Sequence, residues 1–295
     1  MLRTVTTFFA CSLIFNSSVT FATGTARLLQ HSKFVESKTF KQLPINPQDL
    51  TLDVNDCPDI FSKELQGVGR QTMENILICH ALKESGNFTK IQYILSGNTD
   101  RQRLDVANNK GDMLGHSISE FGFTGSSFFK REDFIISQPV IKKDQISYWI
   151  FTSRNQTNTV KAQLDANNIT QLVGVSMLSW RAAIQAMELA GLKLIKKVTV
   201  PEQISETLEA QKANFTLSTK NKPTLDRGTI LQRVEGYRIA NNYHRVFAFN
   251  KSSFDIAQAI ETYFTKLRSD GDKISLAFKH AKYLTKISQN WKVIR

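Results

Sequence analysis

The stretch KIQYILSGNTDRQRLDVANNKGDMLGHSIS, residues 90–119, decides the fold class. Lys90 to Leu95 is rich in β-branched and aromatic side chains and predicts a strand. Thr99 to Lys110 predicts a helix closed by Gly111, and Met113 to Ser119 predicts another strand. A strand, a helix and a strand in immediate succession form a crossover unit, the connection that joins parallel neighbours in one sheet.

The same rhythm extends in both directions. Upstream, Leu50 to Val54 predicts a short strand, and Gly69 to Ser85 a helix with Gly86 at its end. Downstream, strands are predicted at Ile146–Thr152, Leu172–Val175, Leu192–Val200, Phe215–Ser218 and Tyr243–Phe249. Helices are predicted at Ser179–Ala190, Glu202–Gln211, Phe254–Arg268 and Lys273–Ala281. Two α/β units of similar size with a helical tail are expected.

The composition agrees with a folded chain: 295 residues, 41% hydrophobic, 22% charged, with only 6 Pro and 14 Gly, which excludes collagenous and largely disordered classes. Lys plus Arg exceeds Asp plus Glu by 12. That excess makes nucleic acid, an anionic membrane surface or an anionic small molecule the partners to consider. The start narrows them. Residues 1–22 combine a basic Met-Leu-Arg, an apolar stretch and a small residue at Ala22, the three parts of a secretory signal peptide, with cleavage expected after Ala22 or, as the alternative, after Ala26. A lipoprotein reading of Cys11 is disfavoured by the short apolar segment before it. The expected location is the periplasm. Removal of residues 1–22 takes away one cation and leaves a net charge of +11, on a protein with no intracellular nucleic-acid partner.

Two cysteines remain, Cys57 and Cys79. They are either a disulfide, as an even pair in an exported protein suggests, or Cys79 is a buried thiol on the apolar face of Met73, Ile76, Leu77 and Ile78. The five histidines, at 31, 80, 116, 244 and 280, have no metal-ligand spacing, and no hydrolase, Walker or dinucleotide motif occurs, so no metal, cofactor or catalytic residue is expected. Asn-x-Ser/Thr sequons at Asn87, Asn155, Asn168, Asn214 and Asn250 are at the level of chance in an Asn- and Thr-rich chain.

Gly111-Asp112 ahead of a strand, a Lys-Arg pair at 130–131, then Phe134-Ile-Ile-Ser-Gln-Pro-Val140 leading into a new strand resembles the type 2 periplasmic solute-binding proteins, in particular the family 3 branch that contains the amino-acid-binding proteins of ABC transporters. Leu172-Val-Gly-Val175 resembles the family's first inner strand of lobe 2. The resemblance implies an α/β fold of two lobes, each a mostly parallel sheet flanked by helices, joined by a two-strand hinge. Lobe 1 would span 44–143 plus 250–295 and lobe 2 144–249, after a lead-in of 23–43, with the hinge near Val140–Gln145 and Phe247–Lys251.

It also implies a site. Arg131 would grip a ligand carboxylate, since guanidinium matches carboxylate in two parallel hydrogen bonds. Ser117 and Ser119 would supply donors from lobe 1, and Ser179 and Trp180 would line the cleft from lobe 2 at a helix start. A Phe/Gly/Ser-rich insert at 121–129 departs from the family pattern. So does Asn214–Thr219, where amino-acid binders carry an acid for the ligand's ammonium. The expected function is capture of a small polar, anionic or amino-acid-like ligand for transport or sensing by a monomer, with an ABC permease or membrane sensor as partner. The alternatives are an envelope interaction module, peripheral to the membrane at most, and an exported enzyme on this scaffold.

Overall fold

The computed structural model describes residues 24–294 except 38–39, 124–127, 144, 220–230 and 285–289; the expected signal peptide lies outside them. Along the chain come β1 (Gly24–His31), α1 (Ser32–Val35), β2 (Thr51–Asp53), α2 (Arg70–Ser85), β3 (Phe88–Ser96), α3 (Thr99–Ala107), β4 (Met113–Leu114), β5 (Ile118–Ser119) and β6 (Phe134–Ile136). A second group follows: β7 (Ser147–Thr152), α4 (Thr157–Asp165), β8 (Val173–Met177), α5 (Arg181–Leu189), β9 (Leu194–Val198), α6 (Glu202–Glu209), β10 (Thr216–Ser218) and β11 (Gln232–Ala240). The chain closes with β12 (Arg245–Val246), β13 (Ala248–Asn250), α7 (Phe254–Ser269), α8 (Lys273–His280) and β14 (Lys292–Ile294).

Lobe 1 is built on a sheet of order β2-β3-β1-β4-β13-β6, with β1 parallel to both β3 and β4. Its centre is β1, which reads from sequence as a lead-in. The reason for that difference is visible in the partners of its polar residues. Arg27 pairs with Asp112 at 2.7 Å, and buried Gln30 donates to Asn75 Oδ1 at 3.2 Å and to the Gly115 carbonyl at 2.6 Å. The Arg27 guanidinium and the Gln30 amide nitrogen are partnered by residues distant in the chain, so a polar-looking segment can sit at the middle of a sheet. Ala26 is fully buried there, and cleavage after it would cut β1 in two.

Helix α2 packs on this sheet and on α7, burying Thr72 through Cys79 without a break. It ends, as its sequence predicts, at Gly86, whose φ of +69° is the left-handed conformation glycine adopts without strain. Cys79 of α2 is disulfide-bonded to Cys57, with Cα atoms 5.8 Å apart, the first of the two readings of this pair.

Lobe 2 contains a sheet of order β10-β7-β11-β14 and the parallel pair β8-β9, joined to β10's approach by a bridge between Gly174 and Phe215. Every residue of β7 is buried. β14 adds to this sheet beside β11, so the C-terminal end belongs to lobe 2 rather than to lobe 1 as expected. The two chain crossings meet at an antiparallel bridge between Ile141 and Arg245, which places the return crossing slightly earlier than the expected Phe247–Lys251.

Candidate functional site

The lobes and the hinge line an open cleft of about 240 Å³. Lobe 1 contributes Arg70, the first residue of α2, and Arg103 from the middle of α3. Lobe 2 contributes Trp180 and Arg181 at the start of α5, and the hinge contributes Arg245. Four guanidinium groups from three parts of the chain therefore line one cleft.

Ser117 and Glu74 hold two of these arginines. Glu74 is fully buried on α2, and its two oxygens lie 2.8 and 2.7 Å from one Arg70 nitrogen. The same nitrogen donates to the Ser117 carbonyl at 3.0 Å and to its hydroxyl at 3.1 Å. Arg245 donates through Nε to the Ser117 hydroxyl at 3.0 Å and through a terminal nitrogen to the Ser117 carbonyl, while Ser117 itself donates to Glu74. A buried carboxylate with this many donors is one the fold can tolerate.

Arg103 is held differently. It reaches Asp100 at 2.6 Å, stands over the Phe129 ring at 5.7 Å, and its Nε has no hydrogen-bond partner. Burial, followed by the neighbouring Arg181 and Arg245, pushes its pKa down to about 10 despite the opposing pull of Asp100. Gly122 leaves room for this side chain, since a Cβ there would come within 2.7 Å of an Arg103 terminal nitrogen. His116, also lining the cavity, is buried, and burial together with Arg70, Arg245, Arg103 and His31 holds its pKa well below 6.5. It is a neutral ring, and its Nδ1 has no partner. Against the four guanidiniums stand the carboxylates of Glu74 and Asp100, so the site carries an excess of positive charge in a partly desolvated place, where an anion is attracted strongly.

No protein-family model matches the chain, and no curated protein matches it by sequence. Solved structures do. The periplasmic VFT2 domain of BvgS from Bordetella pertussis is similar at a TM-score of 0.50 and 10% identity, covering 86% of this chain and 92% of that one. The chain has the two-lobed periplasmic-binding-protein fold. Two further similar structures are an ancestral amino-acid-binding protein, AncCDT-1, described as a precursor of cyclohexadienyl dehydratase (TM-score 0.48, 12% identity, 89% and 96% covered), and the amino acid ABC transporter substrate-binding protein AbpA of Streptococcus pneumoniae bound to L-arginine (TM-score 0.43, 16% identity, 72% and 85% covered).

Within this binding-protein fold the residues expected from sequence separate into three groups. Ser119, Ser179 and Trp180 line the cavity together, with Trp180 39% exposed. Ser117 is fully buried and lies beneath the cavity as the acceptor that holds Arg70 and Arg245. Arg131 is exposed in a single 3-10 turn, Arg131–Asp133, and is not among the residues lining the cleft; of the described residues before it, Phe123 and Phe129 pack on Phe134. The cleft arginines are Arg70, Arg103, Arg181 and Arg245, none of which the sequence reading singles out. Two have a signal: Arg181 directly follows Trp180, and Arg245 lies inside the predicted return strand.

Proposed function

We propose that the protein is an exported solute-binding protein that captures a small anionic ligand between its lobes and presents it to a membrane permease or sensor, without chemical turnover. The observation that carries this reading is the convergence of Arg70, Arg103, Arg181 and Arg245 on one interlobe cavity. Guanidinium is the side chain best matched to carboxylate and phosphate oxygens, and groups drawn from both lobes and the hinge reward closure around the ligand. Among the described residues lining this cavity there is no Asp or Glu, and the nearby Glu74 and Asp100 are paired with Arg70, Arg103 and Arg181, so an anion without an ammonium group is favoured over a free α-amino acid.

The test is thermal unfolding of the protein from Thr23 onward against dicarboxylates, phosphate esters, amino acids and polyamines. A ligand at a hundredfold excess over its dissociation constant stabilises by about 2.7 kcal/mol. Anions are expected to raise Tm and polyamines to leave it unchanged, and Arg181→Ala is expected to remove most of the anion effect. A shift produced equally by cations, or one insensitive to Arg181→Ala and Arg103→Gln, would place binding elsewhere. Recovery of the ligand unaltered after long incubation distinguishes capture from turnover.

A further inference from the structure

The cationic cavity does not end at Arg70. A second chamber of about 500 Å³ opens from it and shares Arg70, Gln71, Thr99 and His116 with the first. Sites for drug-sized molecules span about 300–1,000 Å³. The first chamber, at about 240 Å³, falls below that range, whereas the two together fall within it.

The new walls differ in chemistry from the first chamber. Phe34 and Val68 are apolar, and Phe34 is braced edge-on against Phe40 at 5.0 Å, which in turn meets Tyr93 at 5.1 Å. Gln102 is fully buried; its Nε2 donates to the Gly97 carbonyl at 3.2 Å, and its Oε1 has no hydrogen-bond partner. An acceptor buried in this way calls for a donor. The floor contains Gly69, with φ +82° and ψ 176°, a backbone region essentially reserved for glycine and found preferentially at functional sites. Apart from the shared Arg70 and the two histidines, the residues lining this chamber carry no ionisable group.

We propose that this chamber is a second subsite, and that the ligand is an amide-bearing carboxylate of the N-acylated amino-acid class. The carboxylate sits among the arginines, the amide N–H meets the Gln102 carbonyl oxygen, and the uncharged acyl chain lies along Phe34 and Val68. Acylation also removes the ammonium, for which no carboxylate lines the first chamber. This inference rests on the anion-capture reading above and deepens it.

The experiment is calorimetric titration of the protein with glutarate, N-butanoyl-glutamate and N-hexanoyl-glutamate. The acylated compounds are expected to bind at least tenfold more tightly than glutarate. Phe34→Ala and Gln102→Leu are each expected to reduce that advantage to less than threefold while leaving glutarate affinity unchanged, and retained glutarate binding serves as the folding control. If glutarate binds and the acylated compounds bind no more tightly, or if both variants keep the advantage, the second subsite is refuted and anion capture stands. If none of the three binds while phosphate esters still raise Tm, this inference is refuted and anion capture stands; if no anion of either class binds, both fall.

Discussion

Asp100 and Arg181 meet across the cleft. One carboxylate oxygen of Asp100, on α3 of lobe 1, lies 3.5 Å from the guanidinium of Arg181 on lobe 2, while the other holds Arg103 at 2.6 Å. The pair therefore joins the two lobes through Arg103 and Arg181, both of which line the cavity. Asp100 is 53% exposed, so solvent screens the contact, and exposed pairs contribute about 0.2–1 kcal/mol. Asp100→Asn is expected to shift the lobes toward the open arrangement by at most about fivefold, read as a larger radius of gyration in small-angle scattering. Raising the salt concentration should act in the same direction on the unaltered protein and have less effect on the variant. Identical scattering from both proteins would mean that the contact does not hold the lobes together.

Gly122 offers a substitution aimed at one guanidinium. A Cβ at this position meets the end of the Arg103 side chain at 2.7 Å, and the end of a long side chain moves at little cost. Gly122→Ala is expected to weaken anion binding about tenfold or more, the range for loss of a charged hydrogen bond, with a Tm change of only a few degrees. Unchanged affinity would show that Arg103 does not contact the ligand.

His116 sets a dependence on acid. Its pKa in the folded protein is well below 6.5, through burial first and then the surrounding arginines. Above pH 6.5 the ring is neutral in both the folded and unfolded chain and has no effect. As pH falls through 6.5 the unfolded chain gains a proton that the folded one does not, and stability falls by up to about 1.4 kcal/mol per pH unit until the folded pKa is reached. In His116→Gln the decline in Tm between pH 6.5 and about pH 5 should be shallower than in the parent. Parallel curves would show that His116 does not carry this dependence.

The bridge between Cys57 and Cys79 ties the segment after β2 to the buried helix α2 across a separation of 22 residues. Closing a loop of that size contributes about 3 kcal/mol in the chain-entropy account, which corresponds to a Tm difference of roughly 6–12 °C. Reductant, or the double substitution Cys57→Ala/Cys79→Ala, should lower Tm by that amount. A Tm unmoved by reductant would count against the bridge.

Much of the secondary structure is legible in the chain because its signals are local. Helix α2 is predicted at 69–85 and runs from Arg70 to Ser85, since an uninterrupted helical stretch ending in Gly needs no distant partner to be recognised. β11 escapes a local reading, and β1 reads as a lead-in. Their polar residues, such as Arg27 and Gln30 in β1 and Arg238 in β11, look solvent-facing until their partners Asp112, Asn75 and Ser147 are known. Of the residues expected for the site, Ser119, Ser179 and Trp180 line the cleft, whereas its cations are not legible locally. Arg101 and Arg103 are two residues apart in one helix, yet the first is 53% exposed and the second 9%, because a rotation of about 200° separates them.

By itself the sequence determined the alternation of strands and helices, the α/β class, the pair of cysteines and the excess of positive charge. Each of these follows from composition or from patterns a few residues long. Only the tertiary structure decided that β1 is the centre of lobe 1, that β14 closes the sheet of lobe 2, and that the cations of the cleft are Arg70, Arg103, Arg181 and Arg245 rather than Arg131. Ser117 illustrates the physical reason: it joins Arg70 and Arg245, 47 and 128 residues away. Contacts of that span arise from how the sheets and the hinge close in space, and no local pattern of residues encodes which of many similar arginines they will bring together.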